Sequence, residues 1–188
     1  MKIAKNFECF KCGDNVRLKP SIILQEGKTN FIIVGESPAL DGWINSGRAF
    51  YNSEGNLQAS GRVLARLLSI LDITIDDIYF TECCKCVLKD RKCLTKSAQN
   101  CKHILERQLL QLPCDYILTM GKVPTEILLG EKIKRFCDVV GNVYQIKIGD
   151  KTFSLLPIYH PSPLNPKGYS GNEPVFRKYR DLLKIIYK

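Results

Sequence analysis

Four short apolar segments, each separated from the next by a helix-like stretch, limit this chain to very few architectures. TNFIIVGE (29–36), DDIYFTE (76–82) and CDYILTMG (114–121) are nearly continuous runs of β-branched, aromatic and other apolar residues, as buried strands require. A fourth such run ends YQIKIGDKTFSLLPIYHPS (144–162), which reads as a hairpin turning at Gly149-Asp150. Helical spacing appears in SGRVLARLLSILDI (60–73), with Ser60 as its expected N-cap and Val63, Leu64, Leu67, Leu68 and Leu71 on one face. It appears again in 96–112, closed by Pro113, in 123–130, and in 173–187. Strands that are apolar on both sides must be covered on both sides. The expected fold class is therefore α/β: one domain over 1–188, a three-layer α/β/α sandwich with a central, mainly parallel four-stranded sheet.

Open sheets of this kind bind ligands at the carboxyl ends of their strands. Here those ends are GESPALDGW, TECCKC, MGKVP and YHPSPLNP, and most of the unusual residues fall in them. The loop 35–52 is too long for a simple connector and reads as a binding loop. One of only two histidines, His160, sits between a strand end and three prolines that stiffen its backbone. GYSGNEP (168–174) reads as a surface loop. The formal charge of +9 fits either a merely soluble basic surface or a polyanionic partner. No stretch approaches the ~20 apolar residues of a membrane span. The start MKIAKNFECF has no apolar core of a secretory signal, so a reducing cytoplasm is the expected location.

Nine cysteines need an explanation, and in a reducing compartment an odd number argues against a disulfide framework. Cys9-x-x-Cys12 lies in a polar, non-periodic segment, where packing is a poor account of it. Cys86 follows the second strand and Cys101 lies early on the next helix. Two close thiols and two brought up by the fold can close a four-thiolate site, and spacing alone does not separate zinc from an iron–sulfur cluster. Cys83, Cys84, Cys114 and Cys137 lie in or beside apolar segments and read as small buried hydrophobes. Cys93, in a charged loop, fits exposure or a substitute ligand.

The ordered set VGESPALDGWINSGRAF, SGRVLARLL, IYFTECCKC, DYILTMGKVPTEILLG and YHPSP, with CxxC…C…C, resembles the uracil-DNA glycosylase superfamily, particularly its iron–sulfur branches. The likeness runs from about residue 7 to the end. It implies a structural [4Fe-4S] cluster held by Cys9, Cys12, Cys86 and Cys101. It also implies a base-excision repair enzyme that flips uracil out of DNA and hydrolyses its N-glycosidic bond, leaving an abasic site. On that resemblance Phe50 stacks under the uracil ring, and His160 hydrogen-bonds uracil O2 as charge develops there. Asp41 and Glu36 are the candidate acids near the sugar, with Asp41 slightly preferred. Ser37 and Glu82 are placed at the base. Leu164 matches a residue that wedges into the gap left by the base. Ser162, Lys85 and Lys122 are assigned to loop tips within reach of phosphates. The expected partner is DNA containing uracil, engaged by a monomer, with no membrane involved.

Glu82 departs from the family pattern, in which Asn often ends this strand and reads the uracil edge. An ionised Glu accepts from N3–H but cannot donate to O4. Another deaminated base, or a non-catalytic damage-binding protein of the same fold, is therefore the competing expectation. An iron–sulfur redox or zinc protein unrelated to DNA stands behind both.

Overall fold

The computed structural model describes residues 9, 11–18 and 24–183. Its centre is a five-stranded sheet in the order β3-β2-β5-β7-β6: β2 (Phe31–Gly35), β3 (Tyr79–Glu82), β5 (Tyr116–Met120), β6 (Tyr144–Ile148) and β7 (Lys151–Ile158). The first four strands of that order run parallel, and β6 pairs antiparallel with β7. The sheet is mainly parallel, as the apolar runs require. It has five strands rather than four because the first arm of the 144–158 hairpin joins it as an edge.

Successive side chains on a strand point to opposite faces, and both faces of this sheet are covered. Phe31, Ile33, Leu118, Met120, Leu156 and Ile158 pack with Leu64, Leu67 and Leu68 of α1 (Ala59–Leu68) and with Phe176 of α4 (Glu173–Lys178). Ile32, Val34, Ile117 and Leu155 pack with Leu105 and Leu109 of α2 (Leu94–Leu110) and with Ile127 of α3 (Lys122–Leu129). Each fully buried leucine contributes about 2 kcal/mol through removal from water.

Several boundaries differ from the sequence expectation. The N-cap of α1 is Gln58, and Ser60 lies inside its first turn. The last helix breaks at Tyr179, whose backbone leaves the helical region, into α4 and α5 (Arg180–Leu183); residues 184–187 of the expected helix lie outside the described residues. Two very short strands that the pattern does not announce, β1 (Val16–Leu18) and β4 (Val87–Leu88), pair antiparallel. They dock the N-terminal segment beside Cys86. Among the described residues no helix is long and apolar enough to cross a membrane.

Candidate active site

The carboxyl ends of β2, β3, β5 and β7 open onto one cavity of about 510 Å3, a size that suits a small ligand. Its apolar side is aromatic. Phe50 and Phe80 have ring centroids 4.7 Å apart, and Trp43 lies 5.2 Å from Phe80. Phe50 holds φ +68°, a left-handed conformation that costs a bulky residue on the order of 1 kcal/mol or more. Two contacts fix it there. Gln58 N–H donates to Phe50 O at 2.8 Å, and Gly61 gives the Phe50 backbone room, since an added Cβ would sit 2.9 Å from Phe50 Cβ and O.

The polar side carries Glu36, Ser37, Glu82, Arg91, His160, Ser162 and Asn165. His160 follows β7 on a loop that is tied in place. Asn172, fully buried, accepts from Tyr159 N–H at 2.8 Å and donates to Tyr159 O at 2.8 Å and Gly168 O at 2.9 Å. His160 O in turn accepts from Ser162 N–H at 2.8 Å and from the Asn165 amide at 3.2 Å. The segment 168–174, read as a surface loop, thus contains the buried clamp of the histidine loop. Burial holds the imidazole below its ordinary pKa, with Glu36 opposing and Arg91 reinforcing the shift, so His160 is neutral at neutral pH. Glu36 is partly buried and forms an ion pair with Arg91. Burial is also the largest influence on Glu82, pushing its carboxyl up to about 8; Lys85 and Arg91 oppose that shift and Glu36 adds to it.

Cys9, Cys12, Cys86 and Cys101 line a second hollow of about 380 Å3, together with Gly13, Asp14 and Val16. The Asn100 amide donates to Lys11 O at 3.2 Å and to Cys12 Sγ at 3.5 Å, and Lys85 N–H donates to Cys101 Sγ at 3.4 Å. Among the described residues no three His, Cys, Asp or Glu side chains form a group that would hold a single metal ion. Four thiols around an open, partly apolar hollow suit a larger group such as an iron–sulfur cluster, whose ligands are cysteine thiolates.

The structure brings Phe50, His160, Glu36, Ser37, Glu82, Ser162 and Leu164 to one cavity. Leu164 is 92% exposed at its rim. Lys122 is outside the cavity lining, exposed and paired with Glu126 at 3.6 Å. Asp41 belongs to the turn Leu40–Ile44, and its side chain lies outside what is described. Lys85 is not at a loop tip. It is 0% exposed, and its ammonium donates to Thr81 Oγ1 at 2.7 Å and Gln108 Oε1 at 2.5 Å, so it cannot reach a phosphate. Cys83, Cys84 and Cys114 are buried in the core, whereas Cys137 is exposed. Sequence reasoning passed over Trp43, Phe80, Met120, Gln58, Arg91 and Asn165. Trp43, the one tryptophan of the chain and set in the long loop, carried a signal that could have been used. Arg91 carried none, because its partner Glu36 is 55 residues away.

Fold and site together define a doubly covered, mainly parallel α/β protein with a pocket that is aromatic on one side and flanked by a buried carboxyl and a neutral imidazole. Residues 23–184 match the profile of the Uracil DNA glycosylase superfamily, and the chain belongs to that superfamily. It is similar to the Type-4 uracil-DNA glycosylase of Archaeoglobus fulgidus, with 25% identity over 182 residues covering 93% of this chain and 87% of the relative. It is also similar to the Type-4 uracil-DNA glycosylase of Pyrobaculum aerophilum, with 27% identity over 160 residues covering 82% and 78%.

Proposed function

We propose that this chain is a monofunctional uracil-DNA glycosylase of base excision repair, acting as a single-domain monomer in the cytoplasm. The observation that carries the reading is the shared cavity of Phe50 and His160 in a member of this superfamily. A uracil turned out of DNA stacks on Phe50, beside Phe80 and Trp43, and presents O2 to His160. As the N1–C1′ bond breaks, its electron pair departs with the base and accumulates in part on O2. A neutral imidazole N–H donating there stabilises that charge without prior proton transfer. Water adds to the cationic C1′ and loses a proton, and the uracil anion takes one up, leaving an abasic site and free uracil. Glu36 or Asp41 stabilises the sugar cation and orients the water, and Ser37 contacts the base.

DNA is held by the basic surface, with Ser162 and Lys122 at phosphates and the exposed Leu164 filling the gap left by the base. Lys85 has no part in this. Cys9, Cys12, Cys86 and Cys101, which line the second hollow, would hold a [4Fe-4S] cluster. Its part would be structural rather than redox, since base excision needs no electron, and through these four thiolates the N-terminal segment would be tied to the turn after β3 and to α2.

The test is incubation of the purified protein with single- and double-stranded oligonucleotides carrying one uracil, followed by alkaline cleavage, with an active relative as control. Strand breaks at the uracil position are expected. Intact strands on both substrates would overturn the reading.

A further inference from the structure

Glu82 is the last residue of β3 and pairs with Gly35 on β2. Its carboxyl borders the cavity shared by Phe50 and His160, at 8% exposure, and its Oε2 is buried without a hydrogen-bond partner. The glycine opposite is part of the arrangement, because an added Cβ at Gly35 would collide with Glu82 Oε2. The charged and titratable groups around it come from four segments: Cys83 and Lys85 beyond β3, Glu36 after β2, Arg91 in the turn 91–93, and His160 after β7. Lys85 directs its ammonium to Thr81 and Gln108, and Arg91 pairs with Glu36. Burying a carboxylate whose oxygen lacks a partner is costly, so such a group takes up a proton instead. The shift to about 8 agrees with this geometry.

We infer that Glu82 reads the flipped base as a neutral carboxylic acid, donating its O–H to a ring carbonyl and accepting the adjacent ring N–H on its other oxygen. The inference rests on the glycosylase reading above. An ionised Glu82 presents two acceptors, which suit N3–H of uracil but oppose O4. The neutral acid presents a donor beside an acceptor, complementary to the lactam edge N3–H/C4=O. Deamination is the step that creates such an edge, converting the amino-substituted edge of cytosine or adenine into N–H beside C=O. Glu82 therefore separates uracil from cytosine, whose amino-substituted edge it does not match; thymine and guanine carry the same lactam edge, so this residue alone does not set uracil apart from them.

The experiment is single-turnover release of uracil from an oligonucleotide between pH 6 and 10 by wild type, Glu82→Gln and Glu82→Ala, with folding checked by circular dichroism. Infrared spectra of the free proteins over the same range follow the protonated carboxyl band. The wild-type rate should fall as pH rises through about 8, together with a carboxyl band that Glu82→Gln lacks. The glutamine amide keeps a donor and an acceptor at every pH, so this limb should vanish in Glu82→Gln. Ionisation of the base's own N3–H affects both proteins equally. Glu82→Ala should lose about 10- to 100-fold throughout, as expected when a buried partner is left unpaired. A Glu82→Gln protein as inactive as Glu82→Ala, an unchanged basic limb in it, or no titrating carboxyl band would overturn the neutral-acid role while uracil release by wild type upholds the glycosylase reading. Wild type that releases no uracil at any pH would overturn that reading, and this inference with it.

Discussion

Replacing Asn172 with alanine should separate positioning of His160 from its chemistry. Asn172 is fully buried and makes three hydrogen bonds, accepting one from Tyr159 N–H and donating to Tyr159 O and Gly168 O at 2.8–2.9 Å. A hydrogen bond contributes about 0.5–1.5 kcal/mol net, and a buried group left without its partner costs more. Three lost bonds therefore amount to about 2–4 kcal/mol, a large part of the roughly 5–15 kcal/mol that holds a domain folded. Gly168, whose carbonyl Asn172 holds, packs directly on the histidine loop, an added Cβ there sitting 2.5 Å from Ser162 O and 3.2 Å from His160 O, so a shift of Gly168 is felt at that loop. Urea unfolding should show the loss as a lower midpoint with an unchanged slope. Uracil release, measured where the variant is still folded, should fall in its maximal rate more than in its binding to the oligonucleotide. A variant that keeps full stability, or one that loses stability yet cleaves at the wild-type rate, would show that the clamp does not position the histidine.

The other expectations concern individual groups. His160→Ala should lower uracil release about 100- to 1,000-fold, the usual cost of one preorganised donor to a developing oxyanion, with an unchanged circular dichroism spectrum; a wild-type rate would refute the role. Burial keeps the imidazole below its ordinary pKa, so its neutral form prevails from pH 7 upward, and in Glu82→Gln raising pH from 7 to 8 should not switch off the His160-dependent rate. Phe50→Ala should cost about 10- to 100-fold, the worth of about 1–3 kcal/mol per stacked base, measured by the same single-turnover assay. Cys86→Ala should abolish bound iron and the visible absorption of a cluster, whereas Cys83→Ala should lower only the denaturation midpoint, because Cys83 is packed in the core. Leu164→Ala, altering a side chain 92% exposed, should leave stability unchanged while slowing release from duplex more than from single-stranded DNA.

How much of this was legible in the sequence depends on whether the cause was local. The strands and helices follow from runs and periodicities contained within each segment, and so does the location of the cavity at the strands' carboxyl ends. The antiparallel edge β6 was visible as a hairpin arm but not as a fifth strand, because its partly exposed alternation depends on what lies beyond β7. Lys85 was misjudged for a non-local reason. TECCKC ends a strand, where a lysine normally reaches solvent, but Thr81 and Gln108 place two oxygens inside that accept its protons. Cys137 was misjudged in the opposite sense: the apolar residues beside it do not close over it. Asn172 sits among glycines and serine, a composition that describes flexible loops equally well. Only its three partners, two on the histidine loop's flank at Tyr159 and one at Gly168, reveal its function.

Glu82 and Glu36 show why composition cannot assign roles at such a site. Both are glutamates at the ends of adjacent strands, and both border the same cavity. Their surroundings differ: Glu36 meets the exposed guanidinium of Arg91, while Glu82 is sealed against Gly35 with one oxygen unpartnered. One site thus holds a carboxyl group paired with a cation and another that burial drives toward its neutral form, and environment alone separates the two. In the sequence the substitution of Glu for an amide at position 82 looked like a loss of the donor that uracil O4 needs. On the inference drawn above, burial would restore that donor as a carboxylic O–H, making the departure from the family pattern compatible with the same substrate edge and adding a pH dependence that an amide lacks.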